Sequence, residues 1–204
     1  MRKLAEPSTV DRKSIAAAVI DAAARGATVG EITQVLRANK AEGARAIPVA
    51  GHRGAEPFEK LRRAVEMHRA ENNRLKVCLV TLGPVGGYTP RLDFIASFFE
   101  IGGFEVVRTG VHDTPQEAAD AGLSEAAPVI VICGPDNACT KGAPVAARRI
   151  KAVRPETIVV LASVPREDRI MKRCTDAGVD IFIHTKSNIL EVLGEVASKL
   201  RVSV

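Results

Sequence analysis

The stretch KVCLVTLGPVGGYTPRLDFIASFFEIGG, residues 76–103, joins an apolar run, a glycine-rich turn and a second apolar segment. The run KVCLVTL is rich in apolar residues without strict alternation, which is typical of a strand covered on both faces. Gly83, Gly86 and Gly87 mark the turn, and the segment after it is typical of a helix. We therefore predict a strand, a turn and a helix, an arrangement that often holds a ligand in α/β proteins.

Working outward, the same alternation repeats down the chain. Further apolar runs occupy residues 104–110, 127–134, 157–163 and 180–184. Helical segments separate these runs, and another helical segment closes the chain. Five buried strands alternating with helices predict a flavodoxin-like, doubly wound, five-stranded parallel sheet.

Ligands of such sheets bind at the carboxyl ends of the strands. The candidate loops for a site are therefore residues 83–91, 110–115, 134–141, 163–166 and 184–188.

The first 74 residues have a different pattern. Alanine-rich and amphipathic stretches, KSIAAAVIDAAARG, TVGEITQVLRANK and PFEKLRRAVEMHRAE, predict helices. In the second of them, Val29, Ile32, Val35 and Leu36 form one apolar stripe, so the first two stretches predict a helical hairpin. We expect a small helical segment and linker over residues 1–74 and an α/β domain over residues 75–204.

Composition narrows the class of protein. The net charge is +5, but acids are interleaved with the cations, and with no Trp and one Tyr there is little to stack on bases. Nucleic-acid binding is therefore not expected. No window approaches the roughly 20 apolar residues that span a bilayer, so we expect a cytoplasmic protein that does not enter a membrane.

The four cysteines are scattered without metal-ligand spacing, which predicts buried thiols and no metal site.

Three chemistries common to this fold fit the loops poorly. The turn matches neither nucleotide-binding glycine motif, and the second run ends in Arg108, Thr109 and Gly110 rather than in an acid for a ribose. A phosphoacceptor site needs an aspartate after the third strand, where Cys133 and Gly134 stand. A flavin site finds a partial match in Thr81, Tyr88 and Thr89, so an independent flavin or nucleotide protein stays open as an alternative.

Residues 75–204 resemble the cobalamin-binding domain of the acyl-CoA mutases, above all the methylmalonyl-CoA mutase family. The resemblance lies in LVTLGPVGGYTPRLDFIASFFEIGGFEVV, HDTPQEAADA, KAVRPETIVVLAS and TDAGVDIFIH, and in their order and spacing. Upstream, KSIAAAVIDAAARGATVGEITQVLR and HRGAEPFEKLRRA resemble the segment that precedes this domain. The resemblance thus covers nearly the whole chain, but the large catalytic barrel of the family is absent from it.

The resemblance also implies which cobalamin-binding residues of the family are missing from this chain. Family members carry Asp-x-His-x-x-Gly after the first strand, and the histidine is the lower ligand of cobalt; its position falls here at Gly86 or Gly87. A Ser-x-Leu after the third strand and a Gly-Gly after the fourth make room for the nucleotide tail, whereas this chain has CGPDNA and ASVPRE. The resemblance therefore implies a non-catalytic small subunit, structural or regulatory, or a fragment of one.

These departures set the remaining expectations. We expect no catalytic residue, no metal and no resident cofactor, and a catalytic large subunit or a second copy as the partner. A vestigial or alternative pocket would involve Gly83, Gly86, Gly87, Tyr88, Ser163 and His184. His184, at the end of the fifth strand, is a better candidate for a contact than His112, which follows the second. Cobalamin held with its own base on cobalt stays open as an alternative.

Overall fold

The computed structural model describes residues 12–38, 51, 53–72, 75–83, 89–165 and 167–203. The chain divides into two compact units, Met1–Gly51 and His52–Val204.

Unit one contains α1 (Arg12–Ala24) and α2 (Val29–Arg37), which contact each other. A capping box starts α2: the Thr28 hydroxyl accepts from the Glu31 N–H, and the Glu31 carboxylate accepts from the Thr28 N–H at 2.8 Å. The Thr28 N–H and the Thr28 hydroxyl both donate to the Glu31 carboxylate at 2.8 Å, and these two bonds, the backbone one first, hold the pKa of Glu31 below its ordinary value.

The apolar stripe predicted for α2 is only partly buried. Ile32 is buried, whereas Val29 is 82% exposed and Leu36 is 45% exposed. The stripe therefore does not form a closed hairpin core within the described residues.

Unit two contains the sheet and the helices around it. Its elements are α3 (Glu56–Asn72), β1 (Lys76–Leu82), α4 (Thr89–Ile101), β2 (Glu105–His112), α5 (Pro115–Ser124), β3 (Val129–Cys133), α6 (Asp136–Val153), β4 (Ile158–Leu161), α7 (Asp168–Asp176), β5 (Ile181–Phe182) and α8 (Ile189–Lys199). In this part of the chain the strands are all parallel, in the order β2-β1-β3-β4-β5. The predicted five-stranded, doubly wound sheet is thereby confirmed.

Helices cover both faces of the sheet, as the apolar strands require. On one face α3, α4 and α8 pack against side chains that include Leu79, Val131 and Val160. On the other face α5, α6 and α7 pack against the alternate residues, among them Val80 and Ile132. Among the described residues, no helix is both long enough and apolar enough to cross a bilayer.

Helix α3 packs in the unit that contains the sheet. Its Leu61 and Val65 are buried in the same cluster as the aromatic residues of α4. The domain boundary at residue 75 stays a prediction, because it concerns the extent of the family domain rather than packing.

Strand β2 forms one edge of the sheet and has an irregular register against β1. Leu79 pairs with Arg108, but Thr81 pairs with Val111, so β2 carries one extra residue. Gly110, within this irregularity, has a φ of +91°, which favours glycine. The Thr109 hydroxyl donates to Leu79 O at 3.3 Å.

Helix α6 begins at Asp136, so most of the loop expected at residues 134–141 is helical. Pro144 lies inside this helix, and its missing N–H leaves Thr140 O without an intrahelical donor. The Arg173 guanidinium of α7 donates to Thr140 O at 2.8 Å. A neighbouring helix thus satisfies the carbonyl that the proline leaves free.

Candidate functional site

A cleft of about 720 Å³ lies at the carboxyl edge of the sheet, in the size range of small-molecule sites. Its apolar wall comes from α4 and from the ends of β4 and β5, and includes Phe94, Ile95, Ala162 and Ile183. Its polar lining residues are Arg91, Asp136, Ser163, His184, Thr185 and Lys186.

Arg91 connects two of the loops at this edge. Its Nη1 donates to Gly134 O at 2.6 Å and lies 2.9 Å from Asp136 Oδ1. Ser163 Oγ donates to the same Asp136 Oδ1 at 3.2 Å. The loops after β1, β3 and β4 are therefore joined by one polar network along the cleft.

His184 is exposed, and its ring is oriented by its own loop. The Lys186 N–H donates to His184 Nδ1 at 3.0 Å, and the His184 N–H donates to Ser187 Oγ at 3.0 Å. A neutral ring that accepts at Nδ1 carries its hydrogen on Nε2. The imidazole is therefore a donor at Nε2 and has no lone pair there.

The glycines have structural roles where the structure describes them. Gly83 has a φ of +85°, and its N–H donates to His112 O at 3.1 Å. At Gly134, a Cβ would lie 2.5 Å from Leu82 O, so only glycine lets the ends of β1 and β3 approach this closely.

The thiols near the cleft are buried and protonated. Burial raises the pKa of Cys139 to about 12, and it raises the pKa of Cys133 still further above the ordinary value, with Cys139 adding to that effect. Since the thiolate is the reactive form, burial disfavours these cysteines as nucleophiles. Among the described residues, no group of three or more His, Cys, Asp or Glu side chains could hold a metal ion.

His112 lies at the end of edge strand β2, away from the lining of the cleft. Its Nε2 is 3.1 Å from the Thr109 hydroxyl, which itself donates to Leu79 O. Because that hydroxyl already donates its hydrogen to the carbonyl, Nε2 of His112 is the donor to Thr109. His112 is thus the last residue of β2, held by a hydrogen bond, and does not lie in the loop after the second strand where the sequence placed it.

Two of the expected pocket residues, Ser163 and His184, line the cleft together, whereas Gly83 is not among its lining residues. Gly86, Gly87 and Tyr88 fall outside the described residues. Thr81, part of the partial flavin match, is 2% exposed within β1 and does not line the cleft.

Arg91 and Asp136 lie in two of the candidate loops, but neither was singled out from the sequence as a site residue. The spacing of Arg91, Phe94 and Ile95 at i, i+3 and i+4 puts them on one face of α4 and could have indicated this wall. No pattern signalled Asp136, because its pairing with Arg91 joins loops distant in sequence.

These features define a class: a doubly wound, flavodoxin-like α/β domain with a ligand-sized cleft at the carboxyl ends of its strands. Sequence relatives then give the family. The chain is 31% identical over 146 residues to the methylmalonyl-CoA mutase small subunit of Porphyromonas gingivalis, covering 72% of the chain and 22% of that protein. It is 34% identical over 98 residues to the small subunit of Streptomyces virginiae, covering 48% of the chain and 16% of that protein.

The chain therefore belongs to the methylmalonyl-CoA mutase family. The resemblance expected from the sequence is confirmed. The chain spans about a fifth of the length of these relatives. No family profile matches the chain.

Solved structures of similar fold include a cobalamin-binding protein from Desulfitobacterium hafniense, with a TM-score of 0.48, 18% identity and coverage of 72% of this chain and 71% of that one. They also include a two-component response regulator from Clostridium difficile, with a TM-score of 0.47, 16% identity and coverage of 63% and 97%.

Proposed function

We propose that this chain is a structural or regulatory cobalamin-domain-like subunit, or part of one, of an acyl-CoA mutase such as methylmalonyl-CoA mutase, and that it does no chemistry itself. One observation carries the proposal: in a domain related to mutase small subunits, residues 83–91 after the first strand contain no histidine. A lower ligand for cobalt is therefore missing from the loop where the family places it.

The nearby histidine does not fit the missing role. To bind cobalt through Nε2, an imidazole needs a lone pair on that nitrogen and usually donates from Nδ1 to an acceptor. His184 has the opposite arrangement, because its Nδ1 already accepts from the Lys186 N–H. The described residues of the cleft therefore do not fit a histidine-ligated cobalamin.

The polar network supports the same proposal. In the family, the loops after the third and fourth strands make room for the nucleotide tail. Here those regions contribute Asp136 and Ser163, which are joined to each other, with Asp136 also paired to Arg91. A bulky group that entered between these residues would have to break their contacts. A group that left the contacts intact would have to bind beside them.

The proposed function of this domain is association with a partner. We propose that residues 75–204 form the family domain, and that residues 1–74, a helical segment and linker, take part in the contact with a catalytic large subunit. The exposed apolar residues of the first two helices, Ile20 at 69% and Val29 at 82%, support a role in contact.

Two measurements test this proposal. The purified chain, mixed with aquocobalamin or adenosylcobalamin and passed through a desalting column, should elute colourless and show no mutase turnover. Coexpressed with a catalytic mutase subunit from the same source, it should copurify with that subunit. Turnover by the chain alone, or failure to copurify, would overturn the proposal.

A second candidate is a cofactor module that binds cobalamin with its own base on cobalt. The ligand-sized cleft supports it, because this geometry needs no protein histidine and no buried tail. Its test is a visible titration of wild type and His184→Ala with aquocobalamin. Binding with identical base-on spectra would support this candidate, and a spectrum that changes with His184→Ala would instead make His184 the ligand. Absence of binding would leave the first proposal.

A further inference from the structure

A groove between α6 and α7, on the face of the sheet opposite α4 and α8, concentrates positive charge. It has a volume of about 590 Å³ and is lined by Thr140, Lys141, Arg148, Arg169, Ile170, Lys172, Arg173 and Asp176. Five cations thus face one carboxylate. The groove thus has a local excess of four positive charges.

The groove cations differ from the neighbouring cations of the same helix. On α6, Arg149 Nη2 donates to Asp120 Oδ2 at 2.8 Å, a hydrogen bond that holds the pKa of Asp120 below its ordinary value, and Lys151 Nζ lies 2.7 Å from Asp180 Oδ2. Within the described part of the chain, by contrast, none of the five groove cations forms an ion pair, and Arg173 donates to the backbone oxygen Thr140 O.

The spacing of these cations gives the groove two parallel charged walls. Lys141 and Arg148 are seven residues apart, about two turns or roughly 10 Å along one face of α6. Arg169, Lys172 and Arg173 follow the i, i+3, i+4 spacing that puts them on one face of α7. The hydrogen bond from Arg173 to Thr140 O joins the two walls.

We propose that this groove is a docking surface for an acidic segment of a protein partner, a chain rich in Asp and Glu. Charge complementarity selects an anion. No aromatic side chain lines the groove, which disfavours stacked nucleic-acid bases. All the lining residues belong to the two helices, with no loop glycine to present a nest of backbone N–H groups to a phosphate. Two separated rows of long, exposed cations fit several carboxylates spread along a chain.

The test uses a fluorescently labelled hexaglutamate peptide and the whole chain, followed by anisotropy at 20 to 200 mM salt. We expect saturable binding that weakens as salt rises. Arg148→Glu and Lys172→Glu, from opposite walls, should each weaken binding by at least about fivefold, since each replaces an attraction by a repulsion. Arg63→Glu is the matched control: it makes the same charge change at an exposed position of α3, remote in sequence from the groove, and should stay within about twofold.

Three outcomes would overturn the inference: no saturable binding at 20 mM salt, an equal loss in Arg63→Glu, or inorganic triphosphate competing at more than tenfold lower concentration than unlabelled peptide. The last would make the groove a phosphate site instead. Because the readout is peptide binding by the chain alone, its failure leaves the proposed mutase association untouched, and the failure of that association leaves this test valid.

Discussion

Arg91 and Asp136 meet across the carboxyl edge of the sheet, with Nη1 2.9 Å from Oδ1, but the Arg91 side chain is 33% exposed and that of Asp136 is 75% exposed. The ion pair is therefore largely solvated. The more protected contact of Arg91 is its hydrogen bond to the carbonyl of buried Gly134.

Because the two contacts differ in exposure, substitutions of Arg91 and of Asp136 should lower the free energy of unfolding by different amounts. Arg91→Ala leaves Gly134 O without its donor and should lower the free energy of unfolding by about 1 to 2 kcal/mol. Asp136→Asn keeps the shape at an exposed pair and should cost less than about 0.5 kcal/mol. Urea unfolding measures both, and equal losses would show that the ion pair, not the carbonyl contact, carries the stabilisation.

Two glycines should respond to alanine with opposite signs. In Gly134→Ala the new Cβ would meet the backbone oxygen of Leu82 at 2.5 Å, so we expect a loss of about 3 kcal/mol or an insoluble protein. Gly194 lies in the middle of α8, and apart from its chain neighbours and the backbone of its own helix nothing lies within 4 Å of the position that a Cβ would take, so Gly194→Ala should raise the free energy of unfolding by roughly 0.5 to 1 kcal/mol. Thermal unfolding of the two variants tests both predictions. A loss of stability in Gly194→Ala would contradict the presence of open space at that site.

Pro144 and Arg173 should be energetically coupled although they lie on different helices. Arg173→Ala removes the donor to Thr140 O and should cost about 1 kcal/mol. In a Pro144→Ala background the substituted residue regains a backbone N–H that can bond that carbonyl, so the same Arg173→Ala change should cost much less. A double-mutant cycle measures the coupling, expected at about 0.5 to 1 kcal/mol, and additive costs would show that Arg173 acts elsewhere.

The buried thiols give a prediction about pH. Burial, with a smaller contribution from Glu125, raises the pKa of Cys78 to about 12, and burial raises that of Cys139 to about 12 as well. A raised pKa stabilises the fold fully below the unfolded-state value of roughly 8.5 and progressively less as pH rises toward 12. At pH 8 the native thiols should resist a disulfide reagent and react after urea unfolding. Rapid reaction of the native protein would contradict the burial of these thiols.

The sheet could be predicted well from the sequence, because a buried parallel strand is an apolar run. Such a run can be assigned as a strand without knowing which strand it pairs with. The prediction was less accurate where tertiary contacts determine where an element begins or ends. Strand β5 is reduced to Ile181–Phe182, and α6 starts at Asp136 because its first turns pack on the sheet through buried Cys139. In the cleft, Ser163 and His184 were predicted from their position after strands, whereas the partnership of Arg91 with Asp136 depends on a geometry that no local pattern encodes.

The irregular pairing of β2 with β1 also bears on how copies of this chain can assemble. A free edge strand is a template on which another chain can extend the sheet, and an extra residue with a left-handed glycine bends that template. Among the described residues β2 pairs with β1 alone, and a neighbouring molecule on its other side would lose its ladder of backbone hydrogen bonds at Gly110, part of the way along. Extension of the sheet by a neighbouring molecule is thus disfavoured at this edge.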